Sequence, residues 1–400
     1  MTMKIFFFLY SFLTLSHVFL QMSFAWLERL FKQQQSKKPD SGTLPTVAII
    51  ITVYNEKPEL LLRSLVSISL QTYKGRIFTF VIDDGSKNLD EINEVYRDEL
   101  FQRDGNFVFK LQRNTGKRQA QYNLVKFIKE SFPTITPEWL ITIDSDTVLQ
   151  QDAIEKLLRP VKDDKSIGAT TGNIMALNSH DNLLTRLIDY RYWMAFNQER
   201  AAQSFFNSVM CCSGPFSAYR WEIFNDVAKD YINQRFLGKA CTYGDDRHLT
   251  NLVLSKGFNV TYNHEAEADT EVPTTIKGYL KQQLRWNKSF YREMLWTPRI
   301  FTSSRWYLLY EVAMQFILPF MLLAALTHAI LMTISDPING LIYLSLILLM
   351  ALIRVSYAIV ITKDLGFLRF LLYGLLHVVL LIPVRIFAIL TIQDRRWGTR

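Results

Sequence analysis

The chain has few cysteines: three in 400 residues, two of them adjacent as Cys211-Cys212, which excludes a disulfide scaffold. It has no cysteine pair at finger spacing and no His-Glu-x-x-His, so the common zinc sites are excluded as well. The glycine-rich nucleotide signatures of the Rossmann and P-loop types are missing, as are internal repeats and low-complexity tracts. Disorder is excluded by the 28 Phe, 18 Tyr and 8 Trp, ample material for a core. Charge leans positive, 45 basic against 37 acidic side chains for a formal +8. Nucleic acid or an anionic membrane surface could each explain that excess, and the long apolar segments favour the membrane. No nucleic-acid partner is expected.

Four stretches follow from composition. Residues 1–40 hold an apolar run, 5–26, long enough to cross a hydrocarbon core of roughly 30 Å, then a linker with Arg29, Lys32, Lys37 and Lys38. Those cations put the linker, and the domain after it, on the cytoplasmic side. Residues 41–272 alternate apolar β-rich runs (46–53, 77–82, 107–111, 139–143) with helical patterns, which predicts βαβ units and a mainly parallel sheet. Residues 273–300 are amphipathic, with Ile276, Tyr279, Leu280, Leu284 and Phe290 against Lys277, Lys281, Arg285, Lys288 and Arg292, a pattern suited to a membrane interface. Residues 301–400 carry apolar segments near 306–334, 341–362 and 367–392. The cation-free turn SDPING reads as outer and TKDLG as inner. Pro383 and Arg385 interrupt the last segment, which predicts a re-entrant or interfacial course returning QDRRWGTR to the cytoplasm.

Ligands of such sheets sit outside the carboxyl ends of the strands, and acids collect there. Asp144 and Asp146 follow the run 139–143 and share one face of an extended chain. Together they offer a hard cation, Mg²⁺ or Mn²⁺, two carboxylates, to be completed by phosphate oxygens and water; an acidic turn is the plain alternative. Asp83-Asp84 end the second run and Tyr54 and Glu56 follow the first. An acid there accepts from a ribose or base, or caps a turn. Gly116-Lys117-Arg118 open a helix, where two cations oppose its dipole unless a diphosphate or another anion offsets them. Asp245-Asp246 in GDDRH offer a general base, and their mutual repulsion raises the pKa of one. Gln282, Arg285 and Trp286 fall at i, i+3 and i+4, on one helix face, suited to a diphosphate beside a sugar ring. Cys211 and Cys212 read as buried structure or pocket wall, with no base to activate them.

The ordered set TVYNE, DDGS, GKR, DSD, CSGP, GDDRHLT, QQLRW and the terminal WGTR resembles the processive family 2 glycosyltransferases, the type of the hyaluronan, chitin and cellulose synthases, from Val47 to Arg400. The resemblance implies an α/β, cytoplasmic catalytic domain of the GT-A (Rossmann-like) fold, inserted between transmembrane helices with an amphipathic interface helix. It implies Tyr54, Glu56 and Asp83 on the uridine, Lys117 on the phosphates, Asp144 on the nucleotide and Asp146 on a Mg²⁺ or Mn²⁺ ion. Asp246 becomes the general base. Gln282, Trp286 and Cys212 border the acceptor, Arg285 the diphosphate, and Trp397, Thr399 and Arg400 belong to a gate over the nucleotide. LLTRLIDYRYW, ERAAQS and MCCSGP look like both bacterial hyaluronan synthases and rhizobial chitooligosaccharide synthases. NKSFYRE and WGTR look more like the former, and a single N-terminal membrane helix more like the latter. The expected partners are UDP-GlcNAc, UDP-glucuronate, a growing polysaccharide and membrane lipid. The preferred reading is hyaluronan synthesis and export, with chitooligosaccharide synthesis from UDP-GlcNAc alone as the alternative. A lipid-carrier monosaccharide transferase and a nucleotide-regulated transporter are the competing classes.

Overall fold

Buried β-rich runs make the centre of the molecule, a computed structural model that describes residues 2–36, 42–103, 105–302 and 305–394. The strands are β1 (Val47–Val53), β2 (Ile77–Asp83), β3 (Phe107–Leu111), β4 (Trp139–Asp144), β5 (Val148–Leu149), β6 (Ile167–Ala176), β7 (Phe216–Arg220), the two-residue pair β8 (Arg235–Phe236) and β9 (Lys239–Ala240), and β10 (Asn259–Thr270). One sheet of eight strands runs β3-β2-β1-β4-β7-β6-β10-β5. The β3-β2-β1-β4 half is parallel, as the four runs predict. The other half is not: β7 lies antiparallel between β4 and β6, and β5 antiparallel on β10. The sheet is therefore mixed.

The chain passes from the end of β4 to the start of β5, from Asp144 to Val148, yet these strands hold the fourth and eighth places in the sheet. Four residues reach at most ~14 Å, whereas four strand spacings in a flat sheet need ~19 Å. The sheet must curl to close that gap. The register shift in β10 between Tyr262 and Glu267 is a place where the strand bends.

Among the described residues, four helices are long and apolar enough to cross a membrane: Phe6–Gln33, Trp306–Ser335, Pro337–Thr362 and Leu365–Leu390. The first helix, Thr2–Ser36, runs through most of what the sequence reads as a basic linker. Its Glu28 is buried and accepts from Ser204 Oγ at 2.6 Å, which ties the helix to the domain. The last segment is helical without a break. A π turn at His377–Leu381 precedes Pro383, so the bond that proline cannot make is absorbed in a wide turn. Both ends of this segment touch the domain. The Phe367 ring lies 4.6 Å from Tyr190, and the Asp394 carbonyl accepts from Tyr243 Oη at 2.7 Å. Midway, the Tyr373 and Tyr279 hydroxyls meet at 2.7 Å.

The amphipathic stretch forms the helix Ile276–Glu293, capped by Thr275 Oγ1 on the Gly278 amide. Its carboxyl half, Asn287–Glu293, is buried, and so is Tyr279. Only the first turns keep the two-faced character that the sequence assigns to the whole helix.

Candidate active site

A cavity of about 670 Å³ opens at the carboxyl ends of β1 and β4 and continues beneath the Ile276–Glu293 helix to Gln315, Tyr373 and Arg385 of the apolar helices. Glu56, Lys117, Asp144, Asp146, Asp246, Gln282, Arg285 and Trp286, to which the family resemblance gives roles, line it together with Asp245 and Cys211.

The acids after the strands have distinct partners. Glu56, buried, accepts from Ser145 Oγ at 2.7 Å and so joins the end of β1 to the Asp-Ser-Asp motif. Asp146 accepts from Thr270 Oγ1 at 3.1 Å, at the end of β10. Asp83 and Tyr54 lie outside the cavity lining. Asp83 Oδ1 accepts from the amides of Gly85 (3.0 Å) and Ser86 (2.8 Å), and its buried Oδ2 has no partner. Gly85 takes φ +79° there, and a Cβ would stand 2.7 Å from the Asn114 amide, so the turn requires glycine. Asp84 accepts from the amides of Thr115 (2.8 Å) and Gly116 (2.7 Å), fixing the loop before Lys117.

Lys117 finds its anions within the protein. Its Nζ lies 2.5 Å from Asp144 Oδ1 and 3.5 Å from Asp245 Oδ2. Burial pushes the Asp245 carboxyl up, but Lys117 and Arg118 outweigh it and hold the group below its ordinary value. Asp246 goes the other way: burial, then the Asp245 charge, raise it. The pair is thus split as repulsion predicts. Asp246 Oδ1 accepts from the Arg247 amide at 2.8 Å, and Oδ2 accepts from Cys211 Sγ at 3.5 Å. The turn before the pair depends on Gly244, at φ +79°, where a Cβ would run into Ser289 Oγ.

Cys212 is a correction. It is fully buried with its amide on Thr250 Oγ1 at 2.9 Å, and Cys211 lines the cavity instead. Burial pushes the Cys211 thiol up to about 12 and the Cys212 thiol further, so neither is a nucleophile. Trp397, Thr399 and Arg400 lie outside the described residues.

Sequence reasoning missed the wall opposite Asp246. The helix Leu183–Met194 widens into a π turn, Ala195–Arg200, which brings Tyr192, Phe196, Glu199 and Arg200 onto the cavity. Glu199 is clamped by Arg191 at 3.0 Å and Arg354 at 2.8 Å. The Arg200 guanidinium stacks 3.9 Å from the Phe196 ring centroid and its Nε donates to the Cys211 carbonyl at 3.2 Å. The Trp286 ring lies 6.3 Å from Tyr192, tilted by 35°. A π turn has no composition signal, so nothing in the sequence announced it.

Among the described residues no group of three or more His, Cys, Asp or Glu side chains could hold a metal ion. Asp144 and Asp146 alone fit a hard cation only if the substrate supplies further oxygens, as a diphosphate would.

Comparison with known proteins agrees with this geometry. Residues 45–289 match the family described as Glycosyltransferase like family 2. An N-acetylglucosaminyltransferase of Azorhizobium caulinodans is 36% identical over 89% of this chain and 87% of its own length. One from Mesorhizobium japonicum is 37% identical over 91% and 84%. Hyaluronan synthase 2 of Gallus gallus is 32% identical over 98% of this chain and 76% of its own length. A solved mannosyltransferase from Pyrobaculum calidifontis, in complex with GDP-Man and Mn²⁺, superposes with a TM-score of 0.55 over 96% of this chain and 99% of that one at 16% identity, a likeness of GT-A-type fold. The chain therefore belongs to glycosyltransferase family 2 and is a sugar-transferring enzyme of the membrane.

Proposed function

We propose that the protein is a processive, inverting β-glycosyltransferase that joins N-acetylglucosamine residues from UDP-GlcNAc alone and feeds the chain towards the membrane helices. The supporting observation is the continuity of one cavity from Lys117 and Asp144 to Gln315 and Arg385. A lipid-carrier transferase of single sugars would have no use for that length. The preference for UDP-GlcNAc alone, over the hyaluronan reading favoured in sequence, rests on the relatives named N-acetylglucosaminyltransferase, at 35–37% identity against 32% for the hyaluronan synthases. Hyaluronan stays as the second reading for one reason. Arg191, Arg200 and Arg385 line the cavity, which suits an anionic chain and a UDP-glucuronate donor.

In this reading the uridine lies by Tyr54, Glu56 and Asp83, whose buried Oδ2 has no partner within the protein. Lys117 and Arg285 hold the diphosphate. Asp144 and Asp146 would hold Mg²⁺ or Mn²⁺, which when bound neutralises charge on the leaving diphosphate. Gln282, Trp286, Cys211 and the π-turn residues face the acceptor. The Asp246 carboxylate takes the proton of the acceptor hydroxyl. The hydroxyl oxygen attacks the anomeric carbon opposite the diphosphate, that carbon–oxygen bond breaks with its electron pair leaving on UDP, and inversion gives a β linkage. Lys117 is placed to stabilise the charge that develops. The domain belongs on the cytoplasmic side by its flanking cations.

The test is purified protein in lipid nanodiscs with Mg²⁺ or Mn²⁺ and labelled UDP-GlcNAc, with and without UDP-glucuronate. Chitinase-sensitive product from the single donor supports the proposal. Product formed only with both donors and cut by hyaluronidase overturns it in favour of the second reading.

A further inference from the structure

Beyond the cavity, the carboxyl end of the Ile276–Glu293 helix grips the turn that carries Asp246. Glu293, 3% exposed, accepts from His248 Nδ1 at 3.2 Å, from Asn251 Nδ2 at 2.9 Å and from Gln234 Nε2. His248 and Asn251 stand one turn apart on the helix Asp245–Ser255, hence on one face. Gln234 in turn accepts from Arg118 Nη1 at 2.8 Å, the neighbour of Lys117. Two further contacts come from the same end: Arg292 Nη2 donates to the Tyr243 carbonyl at 2.9 Å, and Ser289 fills the space that the missing Gly244 side chain leaves.

We propose that Glu293 is a positioning residue, holding the Asp246 turn in register with the helix that presents Gln282, Arg285 and Trp286. The proposal rests on the reading of Asp246 as the general base. A carboxylate this deep is costly unless every bond is made, and apolar side chains of like volume would hold a fold as well. What the carboxylate adds is register: three donors from two other segments converge on one group at the end of the acceptor-facing helix. His248 lies two residues from Asp246, so a shift of Glu293 reaches the base through one turn of helix. An error of about 1 Å at a reacting group costs on the order of a hundredfold in rate.

The decisive variant is Glu293→Gln in the full-length protein in nanodiscs, with Asp246→Asn measured beside it. Only one oxygen of the amide can accept, so at least one of the three donors is left facing an NH₂ group. The expected result is a kcat about ten- to a hundredfold lower, with KM for UDP-GlcNAc and the Kd of UDP within about twofold. The acid limb of the pH–rate profile should also move to lower pH. Asp246 is faced by Asp245, Lys117, Arg247 and Cys211, and its raised pKa comes first from burial; a loosened turn admits water and relaxes it. A merely structural role would scale activity with the folded fraction and leave the pH limb in place. Unchanged kcat in a folded variant, or kcat and UDP affinity falling together, overturns the proposal. If Glu293→Gln does not fold, Gln234→Leu is read by the same criteria. An inactive Asp246→Asn beside a fully active Glu293→Gln refutes the positioning role alone, whereas an active Asp246→Asn refutes the base and the proposal with it.

Discussion

Replacing Lys117 with methionine removes the ammonium that sits between Asp144 and Asp245 and keeps the length of the side chain. At 3.5 Å from Asp245 Oδ2, a unit-charge pair is worth about 5 kcal/mol at an effective dielectric of 20. That figure must be discounted, because the Lys117 and Asp245 side chains are 22% and 12% exposed and solvent screens them; about 2 kcal/mol survives, in the range of a hydrogen bond to a charged group. The variant leaves Asp144, Asp245 and Asp246 facing a diphosphate without their nearest cation. UDP should therefore bind about thirtyfold more weakly, measured by calorimetry on protein in nanodiscs. Lys117→Arg, which keeps the charge, should stay within a few-fold. A Lys117→Met Kd within threefold of the parent would refute the reasoning, since the cation would then be serving the protein's own carboxylates and not the nucleotide. The same variant has a pH signature. Asp245 lies below its ordinary value because Lys117 outweighs burial. Its ionised form thus adds stability above the unfolded carboxylate value of about 4, and that contribution fades as pH falls through the lower folded value. With Lys117 gone, the largest charge opposing burial is lost while Arg118 remains, so the folded value rises and the ionised group contributes less. The stability gap between parent and variant should be widest near neutrality and close in acid, below both values.

Three further outcomes follow. The raised Asp246 carboxyl puts the acid limb of kcat/KM above the ordinary carboxylate value of 3.8, because the base must be ionised to accept a proton; a limb at or below that value would separate the limb from Asp246. Gly244→Ala should cost about 1–2 kcal/mol for the left-handed backbone and about 1–3 kcal/mol for displacing Ser289. In a thermal unfolding series, adding Ser289→Gly should restore only the second part; full restoration would mean that the backbone is not strained. Glu199→Gln leaves Arg191 and Arg354 facing each other. After allowance for the 39% exposure of Arg354, the loss of this clamp should destabilise the docked Pro337–Thr362 helix by about 2 kcal/mol; an unchanged unfolding midpoint would show that packing alone holds that helix.

The half of the fold that a reader can find in the sequence is the half made of continuous apolar runs. β1 and β4 are buried on both faces and spell VAIIITV and WLITID, so their strand character and parallel order are legible. β6 and β10 spell IGATTGNIMA and NVTYNHEAEADT. Their buried Thr171 and Asn173 look like turn chemistry until the bonds from Thr171 Oγ1 to the Phe216 carbonyl at 3.1 Å and from Tyr262 Oη to Asn173 Oδ1 at 3.2 Å show that the sheet satisfies them. The site divides in the same way. Acids at strand ends and the Gln-x-x-Arg-Trp face are local patterns, and they converge in the cavity. The choice between Cys211 and Cys212 depends on which way one short stretch is rotated, and the clamp on Glu199 needs Arg354, 155 positions away. Neither leaves a local trace. Pro383 and Arg385 mark the last segment as unusual in the sequence, but its continuity through a π turn leaves no local trace.

The curl of the sheet gives the Asp-Ser-Asp motif a mechanical identity as well as a chemical one. Its residues belong to the short strap that pulls the eighth strand position back towards the fourth. Lengthening this strap by even one residue would leave both acids in the sequence while relaxing the arc that aims them at the same point. In such a strap, spacing is a dimension of the whole domain. A deletion or insertion between Asp144 and Val148 should accordingly be felt at Thr270, on the far edge, before it is felt in the identity of any catalytic group.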